Sequence, residues 1–254
     1  MTTVHTPHPG PARRAPARLT EALVLLPGLL CDARLFAPQV EALSREIGVM
    51  VAPVAPGERL EEIASNLLPQ LPLKCALAGH GLGGMVAMEL MRRAPERITR
   101  IALMDTSPLA ETPQEASARE PQIVGARAGR LAEVAREALP SAALAPGPQR
   151  AALMHLVGDM GRALGAESFV HQSRALQRRR DQQGTLRRCK VPALVLCGAH
   201  DSLYPVKRHS FMAELIPHAE LRVIEDAGHL PTLEAPEATT DALRDWLRQP
   251  YVLR

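Results

Sequence analysis

The sequence predicts an α/β protein with a mostly parallel central sheet and helices on both faces. Three observations carry this. From Ala22 onward, short apolar runs alternate with longer stretches of helical period. The short runs are apolar throughout, as strands buried on both faces are. At Gly79-His80-Gly81-Leu82-Gly83-Gly84 one such run passes directly into a helical pattern through a glycine-rich turn. The chain has 254 residues, 46% of them hydrophobic, enough to bury the core of a single domain with an insertion. Aromatic residues make up only 2%, so Leu, Val, Ala, Ile and Met must fill that core.

Residues 1–20 are rich in Pro, Thr, Ala and Arg and have no apolar period, so a disordered arm is expected there. Its prolines disfavour an amphipathic transit helix, and it lacks the apolar stretch of a secretory signal. The domain proper spans residues 21–250. Ala22 to Leu26 is the first strand. Asp32 then caps a helix whose Leu35, Phe36, Val40 and Leu43 recur at helical spacing. Val49 to Val54 is a strand and Leu60 to Leu71 a helix; Lys74 to Ala78 is a strand and Leu82 to Arg93 the helix after the turn. Ile101 to Met104 is another strand. The polar stretch at about 108–188 has no convincing strand and reads as an inserted helical cap. Its helices are expected around Leu131–Leu139, Gln149–Leu164 and Ser168–Arg178. The strand Val191–Cys197, a helix near Val206–Ile216, the strand Leu221–Ile224 and a helix from Pro236 to Leu247 complete the order.

The formal charge of +3 is matched by Arg13, Arg14 and Arg18 in the first twenty residues, which contain no acid. The remainder is neutral overall, which argues against nucleic-acid binding. No apolar run approaches a membrane span. The basic run Gln177-Arg178-Arg179-Arg180, followed by Asp181, reads as a solvated helix face in preference to an anion site. Cys31, Cys75, Cys189 and Cys197 show no metal-ligand spacing, and Cys75 and Cys197 lie in apolar strand-like runs as buried thiols do. Together these features point to the cytoplasm, with no metal and no cofactor.

Four segments bear chemistry: Leu26-Pro27-Gly28-Leu29-Leu30, the turn Gly79 to Gly84, Gly198-Ala199-His200-Asp201, and Asp226-Ala227-Gly228-His229-Leu230. The strand–turn–helix context of the second is that of the nucleophile elbow, pattern G-x-S-x-G, with Gly81 at the serine position. In this order the four segments resemble the α/β-hydrolase fold superfamily, in particular its small esterase-like members, over about Ala22 to Leu247. Asp201 and His229 each follow a strand, at the sheet edge where active sites gather. There the aspartate can hold the imidazole tautomer so that Nε2 acts as a base. The resemblance implies an oxyanion hole from the backbone amides of Leu29 and Leu82. It also implies a small hydrophobic acyl or ester ligand in an apolar pocket under the cap.

Gly81 offers no attacking atom. Among possible substitutes, Ser107 lacks an activating turn, His80 is expected to point away from the attacking position, and Cys31 near the oxyanion loop reads as packing. Asp105 is either a backup acid or, preferably, a loop residue. Three functions remain open. The first is a carboxylic ester or thioester hydrolase framework with impaired or absent covalent hydrolysis. The second is a non-covalent His–Asp acid/base enzyme, such as a lyase, cyclase or isomerase. The third is an inactive ligand-binding protein. The first is preferred because the rest of the triad framework is complete.

Overall fold

The structure is a computed structural model that describes residues 21–54 and 56–251; the arm expected at residues 1–20 lies outside them. Its centre is a six-stranded, fully parallel sheet. In chain order the strands are β1 (Ala22–Leu26), β2 (Val49–Val51), β3 (Cys75–His80), β4 (Ile98–Met104), β5 (Ala193–Gly198) and β6 (Ala219–Ile224). They lie side by side as β2-β1-β3-β4-β5-β6. The period-two alternation of side chains splits each strand between two cores. Leu23 and Leu25 of β1 face one side with α1 (Ala37–Leu43) and α10 (Pro236–Arg248). Val24 and Leu26 face the other with α2 (Leu60–Leu67), α3 (Leu82–Arg93) and, further along, α8 (Val206–Leu215). Both faces are covered, which is why β1 and β5 carry uninterrupted apolar runs.

Between β4 and β5 the chain forms only helices: α4 (Pro113–Arg127), α5 (Leu131–Ala138), α6 (Arg150–Gln177) and α7 (Gln183–Arg187). Ile123 and Ala126 of α4, Val134 of α5 and Phe169 of α6 bury one another and close over Leu30 of the loop after β1. The short α9 (Pro231–Glu234) precedes α10. Among the described residues, no helix is long and apolar enough to cross a membrane.

Element boundaries differ from the sequence reading where a local rule is overridden. Strand β2 stops at Val51 instead of Val54: Ala52 still donates to the Leu25 carbonyl at 3.0 Å, but Pro53 has no N–H to continue. Helix α2 gives way at Leu68 to a 3-10 turn because Pro69 cannot bond back. Strand β4 begins three residues early, at Ile98. Its polar Arg100 is buried there by an ion pair with Glu21, Nε to Oε1 at 2.6 Å. Helix α4 was not anticipated, although Thr112 and Glu115 form a reciprocal capping box with Pro113 in the first turn. The two helices expected at 149–164 and 168–178 run together as α6, broken by Gly165 at φ +83°.

The expectation of a solvated basic face also needs correction. Arg178 and Arg180 do reach surface acids, Glu58 at 2.6 Å and Glu61 at 3.1 Å. Arg179, however, turns inward, its side chain only 6% exposed, and binds Glu111 at 2.7 Å. Periodicity placed the residue on a helix face, but it lies beyond the last turn of α6, where the chain bends under the cap.

The tightest packing is between α3 and the sheet. A Cβ on Gly83 would lie 2.0 Å from the Leu26 carbonyl oxygen, a contact with rigid backbone. Gly83→Ala is therefore expected to destabilise the fold by more than about 3 kcal/mol. Gly158→Ala in α6, where nothing lies within 4 Å, is expected to stabilise by about 0.5–1 kcal/mol. Denaturant unfolding of both variants checks the contrast.

Candidate active site

Strand β3 passes into α3 through one residue, Gly81, at φ +52° and ψ −116°. This backbone strains any residue with a side chain. It is pinned from both ends: the Gly81 amide donates to the Met104 carbonyl at 2.9 Å, and the Thr106 hydroxyl donates to the Gly81 carbonyl at 2.6 Å. Space is not what requires glycine here. A Cβ on Gly81 would meet nothing closer than 3.7 Å and would sit 3.9 Å from His229 Nε2. A serine Oγ, one bond further out, would come within hydrogen-bond reach of that nitrogen.

His229 follows β6 and Asp201 follows β5, so both stand at the carboxyl edge of the sheet beside the Gly81 turn. His229 Nδ1 faces Asp201 Oδ2 at 2.9 Å. The other carboxylate oxygen accepts the amides of Leu203 and Tyr204 at 2.8 and 3.0 Å. Burial alone would push the Asp201 carboxyl up; the charge and hydrogen bond of His229 and the two amides outweigh it and hold the carboxyl below its ordinary range. Asp201 is therefore ionised and fixes the imidazole so that Nε2 points toward residue 81.

Gly81, His229, Leu29 and Leu82 line one cavity of about 210 Å³ under the cap, and Asp201 stands behind His229. The amides of Leu29 and Leu82 have no acceptor among the described residues. Leu82 is the first residue of α3, so its N–H points out of the helix at the positive end of the dipole. The cavity lining is not wholly apolar as expected: Leu30, Leu139, Val157 and Leu176 share it with Glu111, Arg119 and Arg179.

The substitute nucleophiles fare poorly. Ser107 is buried, its Oγ accepting from the Leu109 amide and from Arg208, and it does not line the cavity. Cys31 lines it, but burial, with Asp32 nearby, pushes the thiol up to about 12. His80 does not turn away from the site as expected. Its ring packs edge-on against His229 at 4.9 Å between centroids, and its Nε2 lies 2.6 Å from the His229 carbonyl oxygen. Burial first, then the nearby His229, lowers His80 to about 3, so it is a neutral donor that fixes the His229 backbone. It fits because Gly28 leaves the space that a Cβ would occupy, 2.6 Å from His80 Nδ1.

Two further positioning residues gave no local sequence signal. The buried Glu234 carboxylate accepts the amides of Gly228 and Leu230, on either side of His229, at 3.0 and 2.8 Å, and that of Ala145 in the cap at 2.6 Å. Gln172 of α6 accepts the Leu30 amide at 3.1 Å and donates to the Val54 carbonyl at 3.0 Å, holding the loop that carries Leu29.

Asp105 is a loop residue with an unusual setting. Its backbone is at φ +44°, Oδ1 accepts the Gly198 amide at 3.1 Å, and Oδ2 is buried with no partner among the described residues. Asp105, Asp201 and His229 each offer a ligand atom within 4.8 Å of the others. Burial, then the Asp201 charge, raises the Asp105 carboxyl well above its ordinary range. A carboxyl pushed toward its protonated form and an imidazole committed through Nδ1 to Asp201 make a poor cation cage, since a cation at Nδ1 would cost that hydrogen bond.

Comparison with known proteins agrees with this fold. Residues 60–236 match the family described as the alpha/beta hydrolase fold. A pimeloyl-(acyl-carrier protein) methyl ester esterase of Aromatoleum aromaticum is 29% identical over 211 residues, covering 76% of this chain and 82% of that protein. An esterase of Thermogutta terrifontis, solved with malate bound, superposes with a TM-score of 0.82 at 26% identity, over 90% of this chain and 89% of that one. The enol-lactonase of Burkholderia xenovorans LB400 gives a TM-score of 0.80 at 24% identity over 90% and 92%, a likeness of fold.

A raised carboxyl has a definite linkage sign. Folding favours the protonated form of Asp105, so its contribution is full below its unfolded value of about 3.9 and is lost as pH rises toward the folded value. Asp105→Asn keeps a neutral group there and removes the loss. Its stability relative to the parent is expected to grow by up to about 1.4 kcal/mol per pH unit above pH 4. Denaturant unfolding of both proteins at pH 5 and pH 7 checks this, and a pH-independent difference would mean that Asp105 is ionised.

Proposed function

The chain belongs to the α/β-hydrolase fold family, and on that premise we propose that it carries the framework of a carboxylic ester or thioester hydrolase with Gly81 at the nucleophile position. The observation that supports this most is the alignment of His229 Nε2 with a Cβ on residue 81, at 3.9 Å, while Nδ1 is engaged by Asp201 at 2.9 Å. With serine at that position, Oγ would pass its proton to Nε2 as it attacked an acyl carbonyl. The amides of Leu29 and Leu82 would receive the oxyanion, and the imidazolium would then protonate the leaving alcohol or thiol. Water, deprotonated by the same imidazole, would release the acid. With glycine there is no atom to form the acyl-enzyme, and the chain keeps only positioning and oxyanion stabilisation. In serine hydrolases these are worth about 10³ to 10⁴ over water, against about 10⁶ lost with the serine.

The ligand we propose is a small acyl or ester compound. A cavity of about 210 Å³ is below the usual range of about 300–1,000 Å³ and suits a short acyl group. The free reduced cysteines, all buried, fit a cytoplasmic setting. A second reading rests on Gly81 itself. Without a side chain there, His229 Nε2 faces the cavity and could take a proton from water or a carbon acid directly.

Gly81→Ser separates the two. The first reading expects hydrolysis of a short p-nitrophenyl ester to rise by at least about 10³-fold in kcat and to vanish again with His229→Ala. It also expects a stability loss of about 1–3 kcal/mol, because serine must adopt the φ +52° backbone. A folded Gly81→Ser protein no faster than its parent rules the first reading out. An activity that is lost in His229→Ala but unchanged by Gly81→Ser establishes the second.

A further inference from the structure

The wall of the cavity under the cap carries two arginines that share a single carboxylate oxygen. Arg119 of α4 and Arg179, just beyond α6, both donate to the same oxygen of Glu111: Nε of Arg119 and Nη1 of Arg179 lie 2.7 Å from Oε1. Arg179 Nε is further held by the Leu109 carbonyl at 2.8 Å. The Glu111 side chain is 2% exposed, that of Arg179 6% and that of Arg119 19%. Two guanidinium charges thus face one buried carboxylate. Glu115, the other acid on this wall, is exposed; its Oε2 accepts from the amide and hydroxyl of Thr112, which hold the carboxyl below its ordinary range, and its charge also acts on Arg179.

The donors are not exhausted either. Among the described residues, neither Nη group of Arg119 nor Nη2 of Arg179 has an acceptor. Glu111 Oε2 is buried without a donor, so the carboxylate orders both arginines through its single shared oxygen. A pair serving only to staple α4 to the end of α6 would satisfy its own N–H groups. Guanidinium N–H groups left without an acceptor in a largely buried wall are costly, and an anion entering the cavity satisfies them. Planar guanidinium edges offering paired N–H groups match a carboxylate in particular.

We propose that Arg119 and Arg179, ordered by Glu111, form a subsite for a carboxylate that the substrate carries at a distance from its scissile acyl bond. This rests on the ester-hydrolase reading for the reacting end but not for the binding itself. The cavity that contains Gly81, Leu82 and His229 is the one these arginines line, which puts the reacting end and the proposed subsite in one space. The preferred substrate is then a short ester that is also an anion, such as a half-ester of a dicarboxylic acid.

The test has two arms. In the Gly81→Ser protein, kcat/KM for monomethyl glutarate is expected to exceed that for methyl valerate by about tenfold or more. Arg119→Gln, and separately Arg179→Gln, should remove that advantage while changing methyl valerate hydrolysis less than about twofold. Equal turnover of both esters, or an equal loss for both in the arginine variants, overturns the proposal and leaves the hydrolase reading standing. Calorimetric titration of monomethyl glutarate into the Gly81 protein is the second arm and needs no turnover. Binding that weakens about tenfold in either arginine variant supports the subsite even if Gly81→Ser proves inert. No preference over methyl valerate in the titration overturns it.

Discussion

The passage of the chain from strand to helix within a single residue governs everything around it. At Gly81 the backbone leaves β3, turns through a positive φ and enters α3, with its amide tied to Met104 and its carbonyl to Thr106. Only the glycines on either side of it allow α3 to drop onto β1 and β3 closely enough for this turn to be that sharp: a Cβ on Gly79 would lie 2.3 Å from the Gly83 carbonyl oxygen, and one on Gly83 2.0 Å from that of Leu26. Close packing of α3 aims the Leu82 amide and residue 81 at the sheet's carboxyl edge. His229 and Asp201 meet them there because parallel strands all end on the same side.

Around this turn the fold sorts its titratable groups into fixed states. Asp201 is ionised by its amides and by His229; Asp105, close to it, is raised toward neutrality by burial and by that same charge. His80 and His209 are both pushed down by burial, to about 3 and about 4, and serve as neutral hydrogen-bonding groups: His209 Nε2 accepts the Thr106 amide at 3.1 Å. One anion and one imidazole with a committed tautomer thus remain beside residue 81. That is the electrostatic arrangement a general base requires. The proposed anion subsite extends the same logic to the cap, where Arg119 and Arg179 share one oxygen of Glu111 and keep unused N–H groups.

Much of this was legible in the sequence because the relevant signals are local. Strand β1 and helix α3 fall where apolar runs and the glycine turn placed them, and Gly81, Asp201 and His229 stand out because each follows a strand in a fixed order. What could not be read depends on partners far along the chain. Arg100 hides the start of β4 until Glu21 neutralises it, 79 residues away. Helix α4 buries only Ile123, Gly125 and Ala126, too few for an apolar stripe, though its capping box was in plain view at Thr112 and Glu115. Glu234, Gln172 and Glu111 look like surface residues in sequence; only the fold shows that the first two hold the loops of His229 and Leu29. Arg179 sat in a basic run whose neighbours do face outward, so composition pointed the wrong way.

Imidazole and oxyanion amides converge on residue 81, and peptide mass mapping after fluorophosphonate treatment tests this convergence most directly. In the Gly81→Ser protein a single phosphonyl adduct is predicted on the peptide containing residue 81, absent from the parent and from the same protein with His229→Ala. An adduct at Cys31 or Ser107, or none at all in a folded Gly81→Ser protein, would contradict it.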